Sequence, residues 1–340
     1  MTPPRTILVH EYVTGGGYAA LPQVPSLGAE GEIMLRSVLA DFRSVDAARI
    51  VTTRDSRLRS SPLDADETVP LSPDGYTEGF GALLGRVDDV LVIAPEEHGI
   101  LASLSDQVLA AGAKLLGSLP EGVRAAGDKW VCHTRLQAAG LPMPQTCLAD
   151  PGQARETALA LGLPVVLKTI DGQGSLGVCL ATDTPSLEAA LRLLGQDQKL
   201  LVQRYHAGLH ASVSLLVAAK GVLPLCANGQ DMLPGIPFSY QGGTTPLPDP
   251  SAAGAMALAA VAAEVIPGLR GFVGVDLVFD GRQWRIIEVN PRVTVAYAGV
   301  RQIIDCNLAQ AIVRACLDNE LPERVTLSGQ VAFGKKRGTP

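Results

Sequence analysis

Short apolar runs alternate with amphipathic segments through about the first 120 residues of the chain. Buried strands are predicted at residues 6–9, 48–52, 89–93 and 114–116, and helices at 30–42 and 98–111. A regular strand-helix alternation is typical of a parallel sheet covered by helices. The pattern therefore predicts an N-terminal, Rossmann-like α/β domain over residues 1–120.

The pattern changes after residue 120, where strands follow one another more closely. Strands are expected at residues 165–168, 178–181, 199–203 and 211–218, and helices at 251–265 and 303–319. Residues 228–248 have no periodicity and are interpreted as a long functional loop. This part of the chain therefore lacks the regular strand-helix alternation of the first 120 residues.

Two apolar strands, 272–279 and 284–289, carry acidic side chains that would be costly to bury without a positive partner. A turn of two residues, Asp280 and Gly281, would place Asp276 and Glu288 on opposite faces. A three-residue loop at 281–283 would pair them and bring Asn290 to the same face. That set of oxygen ligands suits Mg²⁺, whereas the alternative is an edge hairpin with solvated acids.

The segment from Leu163 to Asp183 contains Lys168 within an apolar strand, followed by the pattern GxGxxG at Gly172, Gly174 and Gly177. A dinucleotide-binding loop would open a helix, but another strand-like run follows here. A hairpin with a glycine loop is the better interpretation, in which Lys168 and backbone N–H groups cradle a phosphate. No GxxxxGK[ST] motif is present, which excludes a P-loop enzyme.

Three further positions are candidates for the same chemistry. Arg292 directly follows the acidic hairpin and supplies a cation where phosphate would gather. Lys129 lies in the first turn of a helix capped by Asp128, which is unfavourable for a cation unless an anion is near; a solvated surface lysine is the alternative. Residues 10–17 (HEYVTGGG) end the first strand and form either a ligand crevice or a flexible surface loop.

Composition narrows the functional classes. The net charge is −6 and basic runs are absent, which gives no reason to expect a nucleic-acid partner. The six cysteines show no metal-binding spacing, and the apolar runs fall short of the ~20 residues of a membrane helix. A cytosolic protein with no membrane partner is the expectation.

Residues 120–300 resemble the ATP-grasp enzymes, because Lys129, Lys168, the glycine loop, the Gln203 segment and the Asp276/Glu288/Asn290 set occur in the family's order and approximate spacing. The resemblance implies an ATP-grasp fold preceded by a pre-ATP-grasp domain. It divides the α+β part into a lid subdomain at 121–200 with the glycine loop and a C-terminal subdomain at 201–325 with the Mg²⁺ site, followed by a tail at 326–340. It also implies ATP and Mg²⁺ as cofactors, the latter held by Asp276, Glu288 and Asn290, with Lys168 and Arg292 acting on the transferred phosphate. The implied ATP-binding residues are Lys129, Lys168, Gly172, Gly174, Ser175, Gly177, Gln203, Arg204, Tyr205, His206 and His210.

Two positions depart from the pattern of that family. Gln203 stands where a glutamate is frequent, and His210 where an acidic ribose ligand is frequent. Both side chains can still form hydrogen bonds. The departures therefore leave the nucleotide preference undetermined, but they do not affect the expected fold.

Short motifs over the whole chain are similar to the tyramine-L-glutamate ligase group of methanofuran or methylofuran synthesis. They are residues 8–12 with the triple glycine, 92–96, Asn228 with Gln230, and 240–243. This resemblance implies that glutamate is the carboxylate and that tyramine or tyrosine is the amine. The residues expected to shape the amine pocket are Glu11, Tyr12, Gly16, Gly242 and Gly243.

The reaction expected from the resemblance is amide formation in two steps, through an acyl phosphate. Positioning, charge neutralisation and exclusion of water are what the protein must supply. The alternatives are an ATP-grasp ligase that joins two amino acids or acts on a purine intermediate, and a nucleotide-binding regulator without turnover. Many enzymes of the family are dimers, so a homodimer is an expectation to which the sequence assigns no interface.

Overall fold

The computed structural model describes residues 5–19, 25–45, 48–58, 62–170, 172, 177–195 and 197–334. Its N-terminal part is a parallel five-stranded sheet in the order β3-β2-β1-β4-β5, as the alternation of strands and helices predicts. The strands are Arg5–Glu11 (β1), Ala48–Asp55 (β2), Glu67–Leu71 (β3), Asp89–Ile93 (β4) and Lys114–Leu115 (β5). The accompanying helices are Pro25–Phe42 (α1), Tyr76–Leu84 (α2) and Ile100–Ala110 (α3).

Two antiparallel sheets follow. The smaller has the order β6-β9-β7-β8, with strands Thr146–Ala149 (β6), Val165–Thr169 (β7), Val178–Ala181 (β8) and Leu200–Arg204 (β9). The larger has the order β14-β13-β10-β11-β12-β15. Its strands are Leu209–Ala218 (β10), Gly221–Leu233 (β11), Ser239–Thr245 (β12), Gly271–Phe279 (β13), Trp284–Asn290 (β14) and Val331–Phe333 (β15).

Seven helices complete the fold of these two sheets and join them to the N-terminal part. They are Pro120–Gly127 (α4), Lys129–Ala138 (α5), Ala154–Leu161 (α6), Thr184–Leu194 (α7), Ala252–Val265 (α8), Tyr297–Val300 (α9) and Leu308–Leu317 (α10). Within the described ranges, none of the helices combines the length and the hydropathy that crossing a bilayer requires.

Four apolar cores hold the layers together. One face of the large sheet packs with α8 and α5, and its other face shares a core with α1, α9, α10 and the N-terminal sheet. The second face of the N-terminal sheet is covered by α2 and α3, and the small sheet packs on α6 and α7. The shared core fixes the N-terminal sheet against the large sheet, whereas the small sheet has a core of its own.

Several predicted elements differ from those observed. Residues 228–248 are not a loop, because most of them form the hairpin of β11 and β12, whose residues bond to neighbouring strands although they lack periodicity. The boundary at residue 200 would separate β9 from the small sheet to which it is bonded. Helices α4 and α5 contribute to the core of the large sheet rather than to that of the small one. The predicted helix 303–319 is shorter, and begins at Leu308 after an Asn307 cap.

The predicted tail also differs in part from the structure. Val331–Phe333 pairs with β12 as an edge strand, because the β12 backbone groups on that side lack another partner. The final residues, 335–340, lie outside the described part of the chain.

Candidate active site

A cavity of about 250 Å³ lies where the three sheets meet. Its walls include β7 and β9 of the small sheet, β10 to β15 of the large sheet, and β1, α1 and the end of β4 from the N-terminal part. The sequence-predicted residues that line it are Glu11, Lys129, Lys168, Gly172, Gln203, Arg204, Tyr205, His206, His210, Asp276, Glu288, Asn290 and Arg292. Segments more than 280 residues apart in the sequence therefore contribute to one enclosure.

The acidic hairpin has the predicted pairing, but reaches it by another route. Asp276 is opposite Glu288 and Gly274 is opposite Asn290, so the three oxygen-bearing side chains share a face. β13 ends at Phe279 and β14 begins at Trp284, so four residues connect the two strands instead of the predicted three. Next to the acidic pair, Leu277 is opposite Ile286, so Ile287 is an extra residue in β14. This β-bulge restores the pairing of Asp276 with Glu288.

Asp276 lies at the centre of a network of side-chain amides. Gln230 Nε2 donates to its Oδ1 at 2.9 Å, and Asn290 Nδ2 donates to its Oδ2 at 3.1 Å. Burial and the neighbouring Glu288 carboxylate nevertheless raise the pKa of Asp276 to about 7. Two neutral amides thus leave the buried charge undercompensated, which is the electrostatic environment that a divalent cation relieves. The carboxylates of Asp276 and Glu288 and the amide oxygen of Asn290 fit Mg²⁺ in donor chemistry.

Glu288 also has a lysine partner. Lys129 Nζ lies 3.1 Å from Glu288 Oε2 and donates to the carbonyl oxygen of Gly172 at 3.1 Å. Asp128 caps α5 as predicted, since its side chain accepts from the backbone N–H groups of Trp130 and Val131. The pKa of Glu288 is lowered although burial opposes this, because Lys129 and Lys168 are near. The cap thus holds Lys129 in the cavity, and the solvated-lysine alternative is wrong.

Lys168 is a buried cation of the cavity whose pKa is lowered. Its side chain is buried on β7, and burial lowers its pKa to about 8. Within the described part of the chain its ammonium has neither a hydrogen-bond nor an ion-pair partner. A buried ammonium without a partner is costly unless an anion binds there. Lys168 is therefore a built anion-binding position.

Arg292 is oriented by the N-terminal domain. Its Nε and Nη2 lie 3.0 Å from the two carboxylate oxygens of Glu96, which follows β4, and both side chains are mostly buried. Glu96 itself packs against Gly127, where a Cβ would come within 2.9 Å of it. Glu96 was not among the predicted site residues, although it follows a buried strand and ends the 92–96 motif noted in the sequence. The ion pair links the two ends of the site across 196 positions of sequence.

The segment after β9 forms the connection between the two antiparallel sheets. Gln203 is buried and donates through Nε2 to Thr146 Oγ1 at 2.9 Å. Arg204 turns outward to the carbonyl of Leu161, and His206 lies 3.7 Å from Asp280. His210 is near Lys168, which together with burial lowers the pKa of the imidazole. Both departures from the family pattern, Gln203 and His210, thus line the cavity.

Not every predicted residue lies at the cavity. Tyr12 packs edge-on against Tyr18 and Tyr76, and Gly16 adjoins Leu71, since the 12–19 turn folds back over the N-terminal sheet. Gly242 and Gly243 give room to the neighbouring β15. The structure thus removes Tyr12, Gly16, Gly242 and Gly243 from the cavity lining.

The glycine loop is only partly described. Gly172 lines the cavity, and Gly177 lies against Thr169, whose Oγ1 would be 2.6 Å from an added Cβ. The predicted phosphate contacts of Gly174 and Ser175 fall outside the described residues.

Many lining residues were not predicted as site residues. Among them, Gln230, Tyr240 and Phe333 lie on β11, β12 and β15, and Glu30 and Met34 lie on α1. Gln230 and Tyr240 belong to motifs that the sequence analysis noted, but their strands were interpreted as a loop, and Phe333 was assigned to the tail. These three were missed because the β11–β12–β15 part of the sheet was not recognised, whereas Glu30 and Met34 lie on a helix that was predicted without a role in the site.

The fold and this lining correspond to an established enzyme class. Residues 126–296 match the model of the ATP-grasp domain, and residues 48–123 match the pre ATP-grasp 3 domain. The chain belongs to the ATP-grasp family. Two solved structures show the same fold: a putative ATP-grasp superfamily protein from Archaeoglobus fulgidus (TM-score 0.68, 20% identity, 98% of this chain and 100% of that one) and the N5-carboxyaminoimidazole synthetase of Staphylococcus aureus complexed with ADP (TM-score 0.75, 14% identity, 98% and 82%).

Individual relatives indicate more closely which kinds of ligase the chain resembles. The chain is similar to the tyramine–L-glutamate ligase of Methanocaldococcus jannaschii, with 26% identity over 94% of this chain and 92% of that protein. It is also similar to the D-alanine–D-alanine ligase of Gloeobacter violaceus, with 31% identity over 57% of this chain and 67% of that protein. The predictions of family, of fold and of an ATP-dependent ligase are confirmed by these matches.

Proposed function

We propose that the protein joins the side-chain carboxylate of glutamate to tyramine in an ATP- and Mg²⁺-dependent reaction. The observation that carries the proposal is the cavity itself. In it, a paired acidic site and a carboxylate-oriented arginine share one enclosure with a buried lysine whose ammonium has no hydrogen-bond or ion-pair partner among the described residues. The similarity to tyramine–L-glutamate ligases over 94% of the chain supports these substrates. The place of the product in methanofuran-type cofactor synthesis is part of the same proposal.

The proposed reaction has two steps. A carboxylate oxygen of glutamate attacks the γ-phosphorus of ATP, which forms an acyl phosphate and releases ADP. The amine nitrogen then attacks the acyl carbon, phosphate leaves, and the nitrogen loses a proton. Positioning and charge neutralisation supply most of the catalysis in such phosphoryl transfers.

Each part of the cavity has a role in this scheme. Asp276, Glu288 and Asn290 would hold Mg²⁺, which would neutralise phosphate charge when bound. Lys168 offers its uncompensated charge to the phosphates, and Lys129 joins it beside Glu288 and Gly172. Arg292, held by Glu96, faces the transferred phosphoryl group. Gln203 to His206, together with His210, form the wall where the adenosine would lie.

We further propose that the small sheet with α6 and α7 is a lid. It has its own core, yet it contacts the β11–β12 hairpin tip through two backbone hydrogen bonds: Leu180 N–H to Gly235 O at 2.9 Å and Phe238 N–H to Val178 O at 2.8 Å. These bonds close one side of the cavity. Closure of that kind protects an acyl phosphate from water.

The direct test is ADP formation by the purified protein with ATP, Mg²⁺ and glutamate, in the presence of tyramine, tyrosine, D-alanine or no acceptor. Tyramine-dependent ADP formation with one amide formed per ADP is the expected result. D-alanine dependence would favour the second candidate, an amino-acid ligase, which the D-alanine–D-alanine ligase matches support. Nucleotide binding without ADP formation under any of these conditions would contradict both and indicate a regulator.

A further inference from the structure

The last described strand carries a cavity residue whose position is fixed by two glycines. β15 pairs with β12 in the register Gly243 to Phe333 and Thr245 to Val331. The Phe333 ring lies between Gly243 on β12 and Gly299 on α9, where an added Cβ would be 2.7 Å from Cζ and Cδ1, respectively. A methyl group at either glycine would displace the ring, so the close packing of both glycines against it restricts where the ring can lie. From there Phe333 reaches the cavity wall.

This wall is chemically unlike the rest of the cavity. Phe333, Tyr240, Met34 and Met232 line the cavity together with Glu11 and Glu30, and the Glu11 carboxylate accepts from the backbone N–H groups of Val13 and Thr14. Among the described lining residues, the cationic and imidazole side chains come from other segments: Lys129, Lys168, Arg204, His206, His210 and Arg292. The wall thus combines aromatic and thioether surface with acidic side chains. Such a surface complements a ring that carries an ammonium group better than one that carries a carboxylate.

The wall adjoins the reacting centre. Gly243 on β12 is paired with both Gln230 and Phe333, and Gln230 donates to Asp276, so Phe333 shares a face of the sheet with the acidic pair. Burial and the charges of Glu30 and Asp276 raise the pKa of Tyr240, which lies on β12. Gly334, the last described residue, lies beside this tyrosine, since a Cβ there would be 3.3 Å from the tyrosine Oη. A molecule seated against Phe333 would therefore lie on the face of the sheet that carries the acidic pair.

We propose that Phe333 is a specificity-determining residue for the acceptor, against which the ring of an aromatic primary amine packs. The inference rests on the proposed ligase function and deepens it. It assigns the acceptor class as an aromatic amine that lacks a carboxylate, in preference to the corresponding amino acid. It also gives β15 a functional role, because Phe333 of this strand lines the cavity.

The test compares three variants with tyramine, tyrosine and n-hexylamine as acceptors. With Phe333→Ala we expect kcat/KM for tyramine to fall about tenfold, which corresponds to ~1.4 kcal/mol and to the upper end of the range for an aromatic contact. The value for hexylamine should change less than about threefold, within the scatter of a single lost contact. KM for ATP and glutamate should stay unchanged. Phe333→Tyr keeps the ring and should retain the preference for tyramine. Val331→Ala alters the same strand away from the cavity and should leave acceptor kinetics unchanged.

Other results would overturn the inference. An equal fall for all acceptors in Phe333→Ala and Val331→Ala would show that β15 is only structural. Unchanged tyramine kinetics in Phe333→Ala, or a wild-type preference for tyrosine, would also contradict it. If the wild-type protein turns over none of these amines, the proposed function fails. Tyramine binding by calorimetry then decides separately: about tenfold weaker binding to Phe333→Ala supports the aromatic wall, and equal or absent binding overturns it.

Discussion

The two ends of the cavity are built in different ways. The proposed phosphate end is made by residues that are recognisable in short segments, such as Lys168 in its apolar strand and Asp128-Lys129 at the start of a helix. The proposed acceptor end collects β1, α1, β12 and β15, and its lining residues Glu11 and Phe333 are more than 320 positions apart in the sequence. The comparison teaches that a charged residue within an apolar segment can be recognised from that segment alone. A pocket wall made of ordinary apolar residues cannot, because it forms only when distant segments pack together.

The largest effect is expected at the acidic pair, which serves both ends. Asp276→Asn should lower kcat by more than about a hundredfold, since even changes around metal ligands cost 10- to 100-fold in affinity or activity. The same change should raise thermal stability in the absence of Mg²⁺, because it removes a buried and undercompensated charge. Steady-state ADP formation measures the first effect, and melting curves without Mg²⁺ measure the second. Equal activity in the variant would contradict the assignment of the metal site.

Loss of Lys168 should affect the proposed phosphate end alone. Lys168→Met should weaken ATP binding about a hundredfold or more, as removal of one partner of a buried charge pair costs ~2–5 kcal/mol. Binding of the acceptor in the absence of nucleotide should be unchanged. Calorimetry with each ligand separates these outcomes, and a parallel loss of both would indicate a damaged fold.

The pH dependence of the same variant gives an independent check. The folded pKa of Lys168, about 8, lies below the value of ~10.4 for an unfolded lysine. The unfolded state therefore binds more protons between these values, and the contribution of Lys168 to the free energy of unfolding rises with pH across that window. The stability difference between Lys168→Met and the wild-type protein should shrink over the same range in denaturant titrations.

Glu96 joins the two ends through Arg292, and its variant should have an intermediate effect. Glu96→Gln keeps the size of the side chain but releases the arginine from a fixed ion pair. Misplacement of a reacting group by about 1 Å can cost 10²-fold, so we expect kcat to fall about ten- to a hundredfold. KM for ATP should change less. Glu97→Gln, on the adjacent residue outside the cavity lining, is the matched control.

At the acceptor end, the glycine that seats Phe333 should be sensitive to a single methyl group. In Gly243→Ala the added Cβ would be 2.4 Å from the carbonyl oxygen of Gly229, so the free energy of unfolding should fall by about 1–3 kcal/mol. KM for the amine should rise while KM for ATP stays the same. Gly254→Ala on the exposed side of α8, where the nearest atom is 3.5 Å away, should instead be stabilising.

The smallest effect is expected at Tyr12, which lies outside both ends. Its ring is 5.1 Å from that of Tyr18 and packs within the N-terminal domain. Tyr12→Phe preserves the ring, so kcat and KM for every substrate should remain within about twofold of the wild-type values, as for substitutions that leave packing intact. A selective rise in the KM of the amine would restore Tyr12 to the acceptor pocket.

The sequence alone identified the charged residues whose burial requires a partner or a ligand. Charged side chains within apolar strands, Lys168 and Asp276 among them, predicted a ligand because burial without compensation is costly. Strand alternation also predicted that Asp276, Glu288 and Asn290 share a face. The parallel N-terminal sheet followed from its strand-helix alternation. These inferences depend on local physics, which a single segment contains.

Only the tertiary structure decided the features that depend on distant segments. The bulge at Ile287 brings Asp276 opposite Glu288, a pairing that the turn alone would not produce. Glu96 orients Arg292 only because α4 and β4 are brought beside β14, and β15 finds its place only because β12 has an unpaired edge. Neither pairing has a local signature, since an ion pair or an edge contact between remote segments is settled by how the layers pack.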